Sequence, residues 1–326
     1  MHDFTVLVQP GAYASSVAAT LDILQAAAAL APGCRASPPA WRLVSSDGGL
    51  VALSGGLSVA TELLAPDAGR DHGTWIIPGL GARNTEELAA RLTSAAGRHA
   101  IDAIAEHGAL GGMVAASCTG VFLLQSAKLL VGRRVTTSWW LAAELRRIEP
   151  RCTVDADRMV CADGPVITAG AAFAQTDLML HLLRAKCGAA LADAVSRTLL
   201  IDGRQAQSPF IVPLMLSGGS DLAAQLTAVI ESALPRVPSV AMLAREMAMS
   251  ERTLARHLRA ATGKSALALI QSVRLNRARM LIETSRMSIG AVAEQVGYKD
   301  ATALRRLMRK ATGANPGKFR SSLIGN

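Results

Sequence analysis

SERTLARHLRAATG (Ser250–Gly263) and DATALRRLMRKATG (Asp300–Gly313) are one segment written twice at an offset of fifty residues. Six of the fourteen positions are identical: Leu254/Leu304, Arg256/Arg306, Arg259/Arg309, Ala261/Ala311, Thr262/Thr312 and Gly263/Gly313. Ser250 and Asp300 have the side chains that cap a helix start, and Gly263 and Gly313 suit the position just past a helix end. Short amphipathic stretches, Val240–Met247 and Ile289–Val296, precede the two copies across tight turns. Each unit therefore reads as a short helix, a turn and a capped basic helix. On the first basic helix, Leu254 and Leu258 share one face, while Arg252, Arg256 and Arg259 lie on another. On the second, Leu304 with Leu307/Met308 forms the core side and leaves Thr302, Arg305, Arg306 and Arg309 outward. These seven outward residues are the candidate DNA contacts, because an arginine fork matches both phosphate and a guanine edge.

Charge supports that reading. The chain carries a net +9, and residues 236–326 hold 17 Lys+Arg against 5 Asp+Glu, whereas the remainder holds 17 against 20. Positive charge confined to one end suits a polyanion partner, here double-stranded operator DNA. The helix between the two copies, Ser265 to about Glu283, would span about 28 Å at 1.5 Å per residue. Successive major-groove faces lie about 34 Å apart, so one chain can address two of them.

Working outward, residues 202–220 are rich in glycine, serine and proline and read as a linker. Before them, strands and helices alternate. Phe4–Val8, Trp41–Ser45, Thr74–Ile77, Gly112–Ala116, Arg134–Thr137 and Val166–Thr168 read as strands, and Cys152–Asp155 with Met159–Cys161 as a hairpin. Helices are expected at Ser15–Leu30, 85–106, from Thr119, at Trp139–Arg147 and, as one long helix, from Ala172. This alternation predicts an α/β domain with a mostly parallel sheet covered on both faces. The expected organisation is thus residues 1–201 for ligand sensing and dimerisation, a linker at 202–220, and an all-α DNA-binding domain at 221–326.

Five cysteines, odd in number and without a C-x-x-C pair, argue against a disulfide framework or a zinc site and for a reducing compartment. Met1-His2-Asp3 lacks the positive flank of a signal peptide. The uncharged stretch Gly108–Ala127 is interrupted by the turn Ser117-Cys118-Thr119-Gly120, which argues against a membrane span. A cytoplasmic protein without metal or cofactor is expected.

Cys118 stands where a strand gives way to a helix. A side chain on such an elbow is held at a helix start, where a thiolate gains stability. The preceding parallel strand ends in Ile77-Pro78-Gly79-Leu80-Gly81, whose backbone N–H groups could face an anionic ligand group. Open α/β sheets bind ligands at the carboxyl ends of their strands. Ser16, Gly79, Leu80, Gly81, Cys118, Thr119 and Trp139 are therefore the candidate lining of an effector site.

Two resemblances follow from these residues. The last ninety or so, including Glu294-Gln295-Val296-Gly297-Tyr298 and Thr312-Gly313-Ala314-Asn315-Pro316-Gly317-Lys318-Phe319-Arg320, resemble the AraC/XylS-type regulators. One departure is Leu304, where that family usually carries an aromatic residue. Residues 4–185, including Cys118-Thr119-Gly120-Val121-Phe122-Leu123-Leu124 and Leu130-Val131-Gly132-Arg133-Arg134-Val135-Thr136-Thr137, resemble the ThiJ/PfpI branch of the class I glutamine amidotransferase-like superfamily. The combination is similar to the GlxA-like regulators. It implies a flavodoxin-like parallel sheet and an activator that answers a small nitrogen-containing metabolite. A homodimer is expected through the near-neutral first domain, since two strongly basic second domains repel one another.

The elbow is also similar to that of isonitrile hydratases, which makes a cysteine-dependent hydrolase or hydratase with an accessory DNA-binding tail the rival reading. Against it, the acidic residue that lies beside the thiol in the superfamily's enzymes falls at Ser16, and Asp22 matches a different acidic position. Ser138 stands where a histidine often follows the Thr-Thr pair. A serine can bond a thiol, but it cannot serve as the base. A regulator without catalysis is the expectation.

Overall fold

The computed structural model describes residues 2–65, 71–156, 158–201, 207, 222–262, 265–312 and 316. Its internal contacts divide the chain into two compact units, Met1–Gly203 and Arg204–Asn326. Of the expected linker, residues 202–206 and 208–220 lie outside the described residues, as do Gly263, Gly313 and most of the closing Thr312–Arg320 motif.

Among its described residues the first unit has ten strands: β1 (Phe4–Leu7), β2 (Trp41–Ser45), β3 (Gly49–Ala52), β4 (Ser58–Leu63), β5 (Thr74–Ile77), β6 (Val114–Ser117), β7 (Arg134–Val135), β8 (Thr153–Val154), β9 (Val160–Asp163) and β10 (Val166–Ala169). Eight form one sheet in the order β3-β4-β2-β1-β5-β6-β10-β9. The six strands from β4 to β10 run parallel, and β3 and β9 add antiparallel edges. β1, β5, β6 and β10 are buried at every residue. That explains their mostly apolar sequences, without the alternation of a one-sided sheet, since helices cover both faces. One face packs against α1 (Ala14–Leu30), α6 (Ala174–Cys187) and α7 (Ala189–Thr198). The other packs against α2 (Thr85–Thr93), α3 (Ala95–Ala109), α4 (Val121–Ser126) and α5 (Ala142–Ile148).

Several local expectations need correction. The helix read over 85–106 is two, broken at Ser94, whose backbone is extended (ψ 162°). Its hydroxyl accepts from Gly97 N and donates to Arg91 O, ending one helix and capping the next. The long helix from Ala172 breaks likewise at Gly188, φ +92°. The hairpin over 152–161 does not form: β8 pairs in parallel with β7, and β9 turns at Gly164 (φ +60°) to pair with β10. The helix read from Trp139 starts at Ala142, and the strand read over Arg134–Thr137 keeps only Arg134–Val135, for a reason that belongs to the site. The edge hairpin β3–β4 carries no sequence signal, because Gly48, Gly49, Gly55 and Gly56 interrupt its short apolar runs.

The regular elements among the described residues of the second unit are helices: α8 (Leu222–Ala233), α9 (Val240–Glu246), α10 (Glu251–Thr262), α11 (Ala266–Thr284), α12 (Ile289–Gln295) and α13 (Ala301–Thr312). Helices α9 to α13 each start on a side-chain cap. Ser239, Ser250, Ser265, Ser288 and Asp300 each accept from the backbone N–H three residues on, at 2.8–3.2 Å. Such caps are worth about 1 kcal/mol apiece. The first half of α11 contributes buried Leu269, Ile270 and Val273. Its second half contributes Ala278 and Ile282 to the cluster holding α12 and α13. The turn between α12 and α13 is one residue longer than that between α9 and α10.

Candidate functional site

The burial pattern on α10 and α13 is the one the sequence predicts. Leu254 and Leu258 of α10 and Leu304 and Met308 of α13 are buried, Leu307 partly so. Arg252, Arg256, Arg259, Thr302, Arg305, Arg306 and Arg309 are all exposed. Among the described residues, none of Arg252, Arg256, Arg259, Arg305 and Arg306 forms a salt bridge, and Arg256 reaches only the neighbouring His257 ring, at 3.4 Å. A concavity of ≈ 530 Å³ is lined by Arg252, Ala255, Arg256, Arg259 and Ser265. Three guanidinium groups there share a wall with the capped start of α11, an arrangement that attracts phosphate.

The elbow of the first unit is a closed site. Cys118 has φ +54° between β6 and the 3₁₀ turn that leads into α4. Holding a non-glycine residue there costs about 1–3 kcal/mol, so neighbouring bonds must enforce it. They do: Cys118 N donates to Gly170 O at 2.7 Å, and Thr137 Oγ1 donates to Cys118 O at 2.7 Å. Gly120 is required, since a Cβ there would stand 2.7 Å from the Pro78 carbonyl oxygen. Thr136, Thr137 and Ser138 leave the β7 ladder to serve this corner. Thr136 N bonds Thr168 Oγ1 at 2.8 Å, and Ser138 Oγ donates to Cys118 Sγ at 3.0 Å. That diversion shortens β7 and delays α5.

The thiol is almost fully buried, and burial pushes its pKa up despite hydrogen bonds from Ser138, Thr119 and the Ala172 backbone. Tyr13 and Cys118 flank Gly79 closely, for a Cβ on Gly79 would lie 3.0 Å from the ring of one and the Cβ of the other. Burial, and then proximity to Cys118, also raise the Tyr13 pKa. Leu80 N–H, expected to face a ligand, is bonded to Thr119 Oγ1 at 2.7 Å. Gly81 abuts the Gly11 carbonyl at φ +70°. Ser16 is buried, and its hydroxyl donates to Ala172 O at 3.1 Å. It thus touches the residue that bonds the thiol, one step removed. Trp139 is buried directly after Ser138.

The structure therefore gathers Cys118, Thr119, Gly79 and Leu80, and adds Tyr13, Ser138 and Ala172 to them. Ser138 was visible in sequence only as a replaced histidine. Tyr13 had a positional signal, since the loop between β1 and α1 also ends at the carboxyl edge of the sheet. Ala172 acts through its backbone, which leaves no trace in residue type.

A parallel-sheet unit with a cysteine elbow, carried beside a double helix-turn-helix unit, defines a class of DNA-binding regulator. Comparison with known proteins agrees. The DJ-1/PfpI family matches residues 9–185 and a helix-turn-helix domain matches residues 243–322. The chain belongs to the DJ-1/PfpI family, and with its second unit it is a transcriptional regulator of the AraC type. It is 26% identical over 284 residues to the HTH-type transcriptional regulator GbdR of Pseudomonas aeruginosa, covering 85% of this chain and 73% of that one. It is 26% identical over 293 residues to the HTH-type transcriptional regulator GlxA of Rhizobium meliloti, covering 87% and 86%. A solved THiJ/PfpI family protein from Pseudomonas syringae shares the fold at 18% identity and a TM-score of 0.50, covering 83% of this chain and 91% of that one. Among the described residues no helix is long and apolar enough to cross a membrane.

Proposed function

We propose that the protein is a cytoplasmic, homodimeric transcription activator whose first unit binds a small nitrogen-containing metabolite beside Cys118 without transforming it. Residues 1–201 would sense and dimerise, 202–220 link, and 221–326 bind the operator. The observation that carries the non-catalytic part is the chemistry around the thiol. Cys118 is buried, its pKa is raised, and the side chains bonding it are hydroxyls, which cannot take its proton. Curated relatives of matching length carry the name of transcriptional regulators. The effector class and the activating sign rest on the resemblance to GlxA-like regulators.

Two measurements test this. A thermal-shift screen of amino acids, betaines and related amines should find a ligand that raises the melting temperature, since ligands of the native state stabilise it. The same panel, extended with amides and isonitriles, should show no Cys118-dependent turnover. Turnover lost in Cys118→Ser would establish the enzyme reading instead. With an effector in hand, Cys118→Ser, Ser16→Trp and Leu80→Trp should alter its affinity; three unchanged affinities would place the pocket elsewhere.

A further inference from the structure

The turn of the second helix-turn-helix is gripped from two sides. From α11, Arg274 Nε donates to Val296 O at 2.8 Å and Nη2 to Gly297 O at 2.6 Å. Its guanidinium also lies over the Tyr298 ring, 3.6 Å from the centroid. From the other side comes the segment between α8 and α9. A Cβ on Gly297 would stand 2.5 Å from Pro235 O and 2.6 Å from Val237 Cγ2, so backbone meets backbone there. Gly297 itself sits at φ +78°, where only glycine is unstrained. Pro235 and Val237 lead directly into Ser239, the cap of α9. One glycine thus touches the segment that starts the first helix-turn-helix, and one arginine ties it to the shared helix α11.

The first turn closes in the same way. Ala248 takes the left-handed position at φ +52°, and Met249 N closes the turn on Ala244 O at 2.8 Å. The corresponding bond in the second turn, Tyr298 N to Ala293 O, is also 2.8 Å, so both turns close on their own. The Arg274 fork is not needed to make the second turn. What it adds is a fixed direction between that turn and α11, and a guanidinium fork can fix direction because its two donors are rigidly splayed.

We propose that Arg274, with Gly297 as its seat, is a positioning residue that sets the angle between recognition helices α10 and α13 and so the operator spacing the protein accepts. This rests on the DNA-binding reading above. Without the fork, α12 and α13 would remain folded around Leu304 and Met308 but would turn on α11. Affinity for each separate DNA segment would persist, and the preference for one spacing would fade.

The test uses the full-length protein and duplexes that the wild type selects from a random pool. The two protected segments are mapped, and copies are made with one base pair inserted or removed between them. Wild type should lose affinity about tenfold on either copy. Arg274→Ala should bind the selected duplex about tenfold more weakly, the same loss that the wild type shows on an altered copy. It should also bind the altered copies as well as the selected one, and random DNA as the wild type does. Arg274→Lys keeps the charge and the stem but loses the fork, and should behave like the alanine variant. A residue that merely stabilises the fold would lower all affinities together and leave the spacing profile intact. That result in either folded variant overturns the proposal, and so does failure of both variants to fold. A wild type that selects no duplex would instead overturn the DNA-binding reading itself.

Discussion

Cys118 and Arg256 stand in opposite circumstances. The cysteine is buried, strained and bonded to residues from two other segments: Thr137 and Ser138 in one, Gly170 and Ala172 in the other. The arginine is exposed on a helix that a serine cap and two leucines suffice to place. A reactive group depends on what surrounds it, and here the surroundings hold the thiol neutral and shut. A surface that reads DNA needs only its side chains outward and its helix anchored. The same chain therefore keeps the shape of a catalytic elbow while the freely presented chemistry lies in its other unit.

The largest expected effect concerns the anchors. Leu254→Ala and Leu304→Ala each empty a buried site between helices and should cost about 2–5 kcal/mol of stability by denaturant titration. Similar costs would show that the two repeats are equivalent in packing. A cost under about 1 kcal/mol at Leu304 would show that its unit packs loosely. Next comes the surface. Arg256→Ala and Arg306→Ala should each weaken operator binding by about 1–3 kcal/mol if the arginine reads a base. An equal loss on random DNA would reassign it to phosphate.

Of these features the second unit was almost wholly legible. Its repeat, caps and outward arginines are local, and each is decided by residues within one turn of helix. The elbow was legible as a place but not as an environment. Ser16, a candidate lining residue, bonds Ala172 O, and Ser138, distant in sequence, holds the sulfur. Thr136 and Thr137 read as strand, because nothing local announces that they are diverted to Thr168 and Cys118. The β3–β4 hairpin was missed because glycines break its pattern. Tertiary bonds of this kind override propensity, and one sequence does not display them.

Two smaller effects sharpen the contrast. Burial raises the Cys118 pKa above that of the unfolded thiol, so the neutral form is favoured in the native state. The associated stability is complete below the unfolded thiol's pKa and is lost as pH rises through the raised folded value. Alkylation of Cys118 in the native protein, followed peptide by peptide, should accordingly stay slow and flat from pH 6 to 8 and become fast only in denaturant. A fast reaction already at pH 6 would reveal a thiolate and a live nucleophile. Smallest of all, Ala248→Gly should relieve the left-handed strain of the first turn. After the entropy of the more flexible unfolded chain is set against it, a gain of about 0.5 kcal/mol is expected by thermal unfolding.

The central claim is that the two units divide the work, with DNA held by the second alone. Fluorescence anisotropy on one labelled duplex, with residues 1–203 and residues 204–326 titrated in parallel from 50 to 200 mM salt, tests it most directly. Residues 204–326 should bind with an affinity that falls about 10³-fold or more across that range, as phosphate contacts release counterions. Residues 1–203 should not bind. Binding by the first fragment, or salt-independent binding by the second, would contradict it.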